Sequence, residues 1–264
     1  MNIEEMRSLP IGFLDSGVGG ISVLKQAVKL MPTEDYIYFG DSANAPYGVK
    51  EPEEIRRLTF AVVDHLLERG IKGLAVACNT ATSAAVRKLR LMYPELPIVG
   101  IEPAIKPAVE MYHGGNILVM ATPMTIAQEK FHVLLDKYRT QAEIVPVACK
   151  GLMELVEAGD LEGRHIDEYF REYIAPYVNS QTETIVLGCT HYPFLRPHLR
   201  SFLKNNTIHL IDGSFGTARE LKRRLEEKGL LKNGKERGTI TFENSLESQR
   251  MIDLSKRLLE MPID

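Results

Sequence analysis

Short apolar runs alternate with longer amphipathic stretches along the whole chain. The runs are four to six residues long and rich in Ile, Val, Leu and Ala, which is typical of strands that are buried on both faces of a sheet. This pattern predicts strands at residues 11–14, 36–39, 73–77, 98–101, 117–121, 143–147, 184–187 and 208–211.

The stretches between these runs have the spacing of amphipathic helices. In residues 53–69, Ile55, Leu58 and Val62 recur at intervals of three and four, with charged residues on the other side. Similar patterns predict helices at residues 21–31, 81–92, 125–138, 165–177 and 217–228. Such an alternation of strand and helix predicts an α/β protein with a largely parallel sheet.

The order of elements repeats once along the chain. The strand and turn that begin at Phe13 correspond to those that begin at Val119, and the segment around Cys78 corresponds to the one around Cys189. This repetition predicts two similar α/β domains, residues 1–103 with 213–264 and residues 104–212. We expect the tail beyond residue 212 to be helical, with a hairpin-like excursion at residues 232–242, and to pack on the first domain.

Composition and charge narrow the class of protein. The chain has 264 residues, of which 44% are hydrophobic and 25% charged; these values exclude a disordered or disulfide-scaffold protein. The formal net charge is −3, so we expect neither a nucleic-acid partner nor a membrane partner.

Targeting signals and cysteine usage point to the cell interior. No apolar run approaches the roughly 18 residues of a membrane span, and the first ten residues do not have the apolar core of a signal peptide. The three cysteines are too few for a disulfide framework and favour a reducing compartment. We therefore expect a cytoplasmic protein.

Polar residues follow the first strand, at the edge where open α/β sheets bind ligands. They are Asp15-Ser16-Gly17-Val18-Gly19-Gly20, whose glycines allow backbone amides to approach a ligand. The run matches neither common phosphate-binding pattern. A tight turn with Asp15 as a helix cap explains the run equally well.

Two cysteines stand directly after predicted strands and before small polar residues. Asn79 and Thr80 follow Cys78, and Thr190 follows Cys189. A helix that begins after each cysteine would favour the thiolate. Two equivalent thiols suggest a pair of acid–base groups that act on opposite faces of one small ligand. Cys149 also ends a strand but is not followed by such polar residues, and we interpret it as structural.

Other cysteine chemistries fit the spacing less well. The arginine of a C-x5-R phosphatase loop is missing, because Ala84 and Leu195 stand at its place. A zinc site would have neither a CxxC nor an HxxxH pair. A pyridoxal enzyme stays open in principle, but no lysine stands out in a strand-end context. A cysteine hydrolase with Cys189 as nucleophile stays open, although it would leave Cys78 without a role.

Two segments resemble the cysteine signatures of the cofactor-independent aspartate/glutamate racemase family. They are Ala-Cys-Asn-Thr-Ala-Thr-Ser at residues 77–83 and Leu-Gly-Cys-Thr-His-Tyr-Pro-Phe-Leu at residues 187–195. Supporting segments at residues 13–20, 41–48 and 155–157 occur in the expected order, and the similarity runs from about residue 11 to residue 224. The chain departs from the family at Ala121 and at Asp212-Gly213-Ser214, and the second departure leaves any role of Ser214 open.

The resemblance implies a racemase that interconverts L- and D-glutamate without a metal, nucleotide or pyridoxal cofactor. It implies that Cys78 and Cys189 are the two acid–bases, assisted by Asp15, His191 and Glu157. Asp15 and Ser16 would lie near Cys78, and His191 with Glu157 near Cys189. It further implies a substrate site formed by Asp15, Ser16, Pro46, Tyr47, Gly48, Asn79, Thr80, Thr122, Thr190 and His191. The domains would be related by a pseudo-twofold axis, with the active site between them.

The same resemblance implies a role in supplying D-glutamate for bacterial peptidoglycan. We expect a small-molecule substrate and a homodimer. Two alternatives remain, namely a racemase of this family that acts on aspartate or another amino acid, and a non-catalytic amino-acid-binding protein. The two thiols argue against the second alternative, because binding alone does not need them.

Overall fold

Parallel strands alternate with helices along the chain, which confirms the predicted α/β class. A computed structural model describes residues 2–263, other than the side chain of Lys130. The chain divides into two units, Met1–Ile101 with Ser214–Glu260, and Glu102–Gly213 with Met261–Asp264.

The elements are numbered in chain order within the described residues. The strands are β1 (Ile11–Asp15), β2 (Tyr36–Gly40), β3 (Gly73–Val76), β4 (Ile98–Gly100), β5 (Asn116–Ala121), β6 (Glu143–Ala148), β7 (Thr182–Leu187), β8 (His209–Asp212) and β9 (Ile240–Asn244). The α-helices are α1 (Ile3–Ser8), α2 (Ile21–Leu30), α3 (Pro52–Glu68), α4 (Asn79–Met92), α5 (Ile105–Glu110), α6 (Pro123–Ala127), α7 (Glu129–Tyr138), α8 (Leu152–Ala158), α9 (Arg164–Tyr173), α10 (Arg196–Leu203), α11 (Ser214–Glu227) and α12 (Gln249–Glu260). Short 3-10 turns lie at Ser42–Asn44, Tyr47–Val49, Ala175–Tyr177 and Tyr192–Leu195.

Each unit contains one parallel sheet, and the two sheets share a strand order. The first sheet has the order β4-β3-β1-β2-β9, and the second has the order β8-β7-β5-β6. If β9 is left aside, each sheet arranges its own four strands as fourth, third, first, second. In such a sheet the winding reverses between the first and third strands, and a crevice opens at their carboxyl ends. The shared order is what a duplicated α/β unit predicts.

All eight predicted strands are present, with ends within two residues of the predicted ones. One prediction about them is wrong, because β6 is not buried on both faces. Glu143, Pro146 and Ala148 are exposed, since β6 lies at the edge of the second sheet. Proline is tolerated at such an edge because its missing N–H removes no internal hydrogen bond of the sheet.

Two predicted helices are interrupted. The helix expected at residues 125–138 is divided into α6 and α7, because Gln128 has extended backbone angles (φ −76°, ψ 138°). The helix expected at residues 165–177 ends at Tyr173, and a 3-10 turn follows it. Pro176 lies in that turn, and a proline supplies no N–H with which an α-helix could continue.

The tail forms no hairpin at residues 232–242, so that prediction is wrong. Instead β9 runs parallel to β2, with Tyr36 beside Ile240 and Gly40 beside Asn244. The start of the pairing is fixed by Asp35, whose carboxylate accepts hydrogen bonds from the backbone N–H and the hydroxyl of Thr239 at 2.7 and 2.8 Å. β9 reaches this sheet only after the chain has passed through the second unit and α11, since β4 is the preceding strand of the same sheet.

In each unit, apolar side chains pack between the sheet and the helices that cover it. In the first unit, α3 and α4 cover one face through Ile55, Leu58 and Leu89, and α11 packs against α2. In the second unit, Ile105 and Phe131 belong to the core that covers β5 and β7. No helix in residues 2–263 is long and apolar enough to cross a membrane.

A buried ion pair lies just before the amino ends of β2 and β3. The ammonium of Lys72 contacts the carboxylate of Glu34, and the side chains of both residues are at most 1% exposed. Lys72 also donates to the carbonyl of Arg7, while Glu34 accepts the backbone N–H of Lys232 at 2.7 Å. The pair therefore connects the N-terminal helix, the start of β2 and the tail.

We expect Lys72→Met to destabilise the protein strongly, because it leaves the Glu34 carboxylate buried without its cation. The expected loss is about 3–5 kcal/mol in the free energy of unfolding, measured by urea denaturation. The double variant with Glu34→Gln should lose less than Lys72→Met alone. Lys106→Met, which removes one partner of an exposed pair, should change stability by less than about 1 kcal/mol. Equal losses in the single and double variants would contradict this account.

Candidate active site

The thiol of Cys78 lies at the carboxyl end of β3, directly before α4. Its backbone is extended, and its carbonyl accepts the N–H of Thr82 at 2.8 Å, so Cys78 is the N-cap residue of the helix. The side chain is 5% exposed, and its Sγ donates to Oγ of Ser16 at 3.4 Å. The positive end of the α4 dipole favours a thiolate at this position, as the sequence predicts.

Asp15 and Ser16 come from the neighbouring strand, β1. Asp15 is fully buried at the end of that strand, and its carboxylate accepts the N–H of Gly17 at 3.2 Å. The turn depends on Gly20, where a Cβ would lie 2.8 Å from the Cβ atoms of both Asp15 and Ala77. The first unit thus brings together the residues that we call the Cys78 site: Asp15, Ser16, Cys78, Asn79 and Thr80.

Asn79 and Thr80 form the first turn of α4 and are both buried. The side-chain oxygen of Asn79 has no hydrogen-bond partner among the described residues. A buried amide oxygen without a partner is unfavourable by about 1–3 kcal/mol, and such groups are rare in folded proteins. This oxygen is therefore an acceptor that is available to a ligand.

A loop at residues 41–49 follows β2 and carries three of the predicted substrate residues. Its anchor is Asp41, which is buried and accepts hydrogen bonds from the Tyr47 hydroxyl at 2.6 Å and from Nδ2 of Asn44 at 2.9 Å. The backbone N–H of Asp41 donates to the carbonyl of Asp15 at 2.9 Å. Pro46 and Gly48 flank Tyr47 and are half-buried.

The Tyr47 side chain is 1% exposed. Burial raises the pKa of its phenol, and the Asp41 carboxylate, Cys78 and Asp15 raise it further. Tyr47 is therefore a neutral hydrogen-bond donor at physiological pH. The sequence indicated Asp41 only as part of a motif, since nothing in the chain order shows that two side chains of the loop converge on it.

In the second unit, Cys189 lies at the carboxyl end of β7, after a turn at Gly188. The N–H of Gly188 donates to the carbonyl of Met120 at 2.7 Å, and a Cβ at this position would lie 2.6 Å from that carbonyl oxygen. Only glycine fits so close an approach. Cys189 is 8% exposed and Thr190 is 3% exposed.

The prediction that a helix begins after each cysteine is wrong for Cys189. A 3-10 turn at Tyr192–Leu195 follows, and α10 begins only at Arg196. In place of a helix N-terminus, Cys189 has an imidazole beside its sulfur: Nδ1 of His191 lies 3.6 Å from Sγ of Cys189. The other ring nitrogen, Nε2, lies 2.6 Å from Oε1 of Glu157, at the end of α8.

His191 is 1% exposed, and its pKa is raised well above the ordinary value. Burial alone would lower that pKa, but the hydrogen bonds and charges of Cys189 and Glu157 outweigh burial. This direction favours the protonated imidazole, which lies between a sulfur and a carboxylate. We call Glu157, Cys189, Thr190 and His191 the Cys189 site.

Thr122 lies at the end of β5, next to β7, where Asp15 and Ser16 lie in the first unit. It is the N-cap of α6, and its Oγ1 accepts the N–H of Thr125 at 3.2 Å and lies 2.9 Å from the Thr125 hydroxyl. The side chain is half-buried. Thr122 thus has a structural function whether or not it also contacts a ligand.

The remaining cysteine and Ser214 have structural contacts. Burial raises the pKa of Cys149 to about 12, with a further contribution from Cys189, so its thiol stays protonated. The Ser214 hydroxyl donates to Oγ of Ser22 at 3.2 Å, which links α11 to α2. In residues 2–263, no group of three or more His, Cys, Asp and Glu side chains is placed to hold a metal ion.

Comparison with known proteins shows which family has this arrangement of two cysteine sites. The sequence matches the family described as Asp/Glu/Hydantoin racemase over residues 15–218, a range that contains both cysteine sites. The chain belongs to this family. It is therefore an isomerase of the racemase type.

Relatives match almost the full length of this racemase. The glutamate racemase of Clostridium perfringens strain 13 is 49% identical over 258 residues, which cover 98% of this chain and 99% of that protein. The structure of Francisella tularensis glutamate racemase in complex with D-glutamate has a TM-score of 0.82 and 26% identity, and covers 97% of this chain and 95% of its own. Escherichia coli glutamate racemase in complex with L-glutamate and the activator UDP-MurNAc-Ala has a TM-score of 0.81 and 28% identity, with 95% of each chain covered.

We expect Gly20→Ala to lower both stability and racemase activity. The new methyl group would push Asp15 and Ala77 apart, and the backbone next to Cys78 would move. Overpacking of this kind destabilises by about 1–3 kcal/mol, measurable by urea denaturation. Gly216→Ala is the matched control, because nothing lies within 4 Å of its added Cβ and alanine favours a helix. Comparable activity in both variants would show that the turn does not position the Cys78 site.

We expect Glu157→Gln to lower the pKa of His191, because it removes a carboxylate that favours the protonated ring. The measurement is an NMR titration of the imidazole, with Glu154→Gln on the same helix as the control. Because folding raises this pKa, protonation of His191 stabilises the folded protein below the ordinary value of 6.5. That stabilisation is lost as the pH rises through the folded-state pKa. Glu157→Gln should therefore reduce this pH dependence of stability. An unchanged titration would overturn the assignment.

Proposed function

We propose that this chain interconverts L- and D-glutamate by proton transfer at Cα between two thiols, Cys78 and Cys189. One observation carries the proposal: the two cysteines follow the third strand of two sheets that share one strand order. Each therefore lies at the crevice where such a sheet binds a ligand. Neither buried thiol forms a disulfide.

The reaction requires one base and one acid on opposite faces of the substrate. A thiolate on one face removes the Cα proton, and the electron pair of the broken C–H bond remains on the substrate. The thiol on the other face donates its proton to Cα, which inverts the configuration and leaves a thiolate there. Both sulfur atoms must approach Cα to roughly 3–3.5 Å. The reverse reaction uses the same groups with exchanged roles.

The two sites stabilise negative charge on their sulfur atoms by different groups. At the Cys78 site, the α4 N-terminus stabilises negative charge on sulfur, and Ser16 contacts the thiol. At the Cys189 site, the protonated His191 supplies the positive charge, and Glu157 orients the ring. Asp15 is assigned to the Cys78 site as a further acid–base group, by its position beside β3 and its complete burial.

The substrate's own charged groups match the polar atoms at these sites. The free side-chain oxygen of Asn79 is an acceptor for the ammonium group. Hydroxyls of Ser16, Thr80 and Thr190, and backbone N–H groups of the 41–49 loop, are donors for carboxylates. Such preorganised donors stabilise the charge that develops when Cα loses its proton. Pro46, Tyr47, Gly48, Thr122 and His191 complete the proposed substrate site.

Glutamate is favoured over aspartate by the relatives. The C. perfringens protein carries the name glutamate racemase at 49% identity, and two structures similar to this chain contain D- or L-glutamate. We further propose that the D-glutamate produced serves peptidoglycan synthesis in the cytoplasm. A homodimer stays a prediction.

Racemisation in heavy water tests the mechanism and the substrate together. Early in the reaction from either enantiomer, the product should carry deuterium at Cα while the recovered substrate should not, because different thiols remove and return the proton. L-Aspartate, tested in parallel, should react much more slowly. Equal rates for both amino acids would favour the broader racemase, and no exchange with either would favour a binding protein.

Cys78→Ala and Cys189→Ala should each reduce racemisation by on the order of 10²–10⁴-fold, since each removes one acid–base group. The serine variants should retain slow Cα exchange, each with the opposite enantiomer. Cys149→Ala is the control and should keep activity, because its buried thiol takes no part. Near-normal racemisation by either alanine variant at position 78 or 189 would disprove the two-thiol mechanism.

A further inference from the structure

We infer that Asn244 and Ser245, at the end of β9, are positioning residues that hold the 41–49 loop for substrate binding. This inference rests on the proposed function, because it assumes that Tyr47 and Gly48 of that loop contact glutamate. Both positioning residues lie beyond residue 218, where the match to the racemase family ends.

Three hydrogen bonds join the end of β9 to the loop and to the strand before it. Nδ2 of Asn244 donates to the Ser42 hydroxyl at 2.8 Å. The backbone N–H of Ala43 donates to the Ser245 hydroxyl at 2.9 Å. The backbone N–H of Ser245 donates to the carbonyl of Gly40 at 3.0 Å. The first turn of the loop is therefore held from the tail, not from its own strand alone.

The amide of Asn244 is fixed on both sides. Its oxygen accepts the N–H of Leu246 at 3.0 Å, so its nitrogen must face the loop, and the residue is 9% exposed. Gly40 makes room for this amide, because a Cβ there would lie 3.0 Å from Nδ2 of Asn244 and 2.5 Å from the carbonyl oxygen of Gly17. Gly17 belongs to the turn that follows Asp15.

The far end of the loop is held by a different residue. Asp41 accepts the hydroxyl of Tyr47, and Asp41 is itself attached to the carbonyl of Asp15. The loop is therefore held at two points, by Asp41 within and by Asn244 and Ser245 from outside. If the outside contacts are lost, Asp41 still anchors Tyr47 and Asn44, but Ser42 and Ala43 lose their hydrogen bonds to the tail and become more mobile.

This arrangement predicts a defect in substrate binding more than in chemistry. The loop carries proposed binding groups, whereas the thiols lie on other elements. Loss of one hydrogen bond that preorganises the loop corresponds to about a 3- to 10-fold change, which we expect mainly as a rise in KM. A purely structural contact would lower the melting temperature and leave KM unchanged.

The test compares Asn244→Ala and Ser245→Ala with Ser245→Thr, which keeps the hydroxyl, and with Thr241→Val on the exposed side of β9. For both glutamate enantiomers, the two alanine variants should raise KM about 3- to 10-fold and change kcat less. Ser245→Thr and Thr241→Val should resemble the unchanged protein. If the alanine variants fold and keep KM within twofold, the inference is wrong.

A measurement without substrate separates this inference from the proposed function. Amide hydrogen exchange at Ala43 and Asn44 should accelerate in Asn244→Ala and Ser245→Ala and not in Thr241→Val. Unchanged exchange would overturn the positioning role even if glutamate is the substrate. Conversely, if the unchanged protein does not racemise glutamate, the proposed function fails while the exchange data still report on the loop.

Discussion

Burial of a thiol opposes the ionisation that makes it a base, and this constraint governs both cysteine sites. Cys78 and Cys189 are each less than a tenth exposed, so a thiolate at either place needs a nearby positive charge. The first unit supplies it with a helix N-terminus. The second unit supplies it with the imidazole of His191, whose raised pKa favours the protonated form. The glycines at positions 20 and 188 serve the same end, because they let strands and turns approach closely enough to form these surroundings.

Much of the framework could be predicted because buried parallel strands have a simple signature. Runs such as residues 117–121 are apolar on both faces, and polar residues appear directly where the strand ends. The two cysteines were recognisable by that position. The break at Gln128 was not, since its neighbours are compatible with a helix and neither glycine nor proline marks the position. β9 was mistaken for part of a hairpin, because its partner β2 lies about two hundred residues earlier.

The contacts that give the site its chemistry were the least predictable. The family resemblance placed Glu157 and His191 near Cys189, but it did not give the hydrogen bond by which the two side chains meet. Asp41 became important only when Tyr47 and Asn44 were seen to converge on it. The unpartnered oxygen of Asn79 cannot be read from a sequence at all, because it depends on what the surrounding residues fail to supply. The sequence pattern indicates the elements that carry the site, whereas the pairing of side chains depends on the tertiary fold.

The unequal support of the two thiols has a thermodynamic consequence. Enantiomers have the same free energy in an achiral solvent, so the equilibrium constant for their interconversion is one. The ratio of kcat to KM must then be identical in both directions, whatever groups surround Cys78 and Cys189. The imidazole–carboxylate pair at only one site can make kcat and KM differ between the enantiomers, but only in compensating proportion. Two dissimilar sites therefore give the same ratio of kcat to KM for both enantiomers.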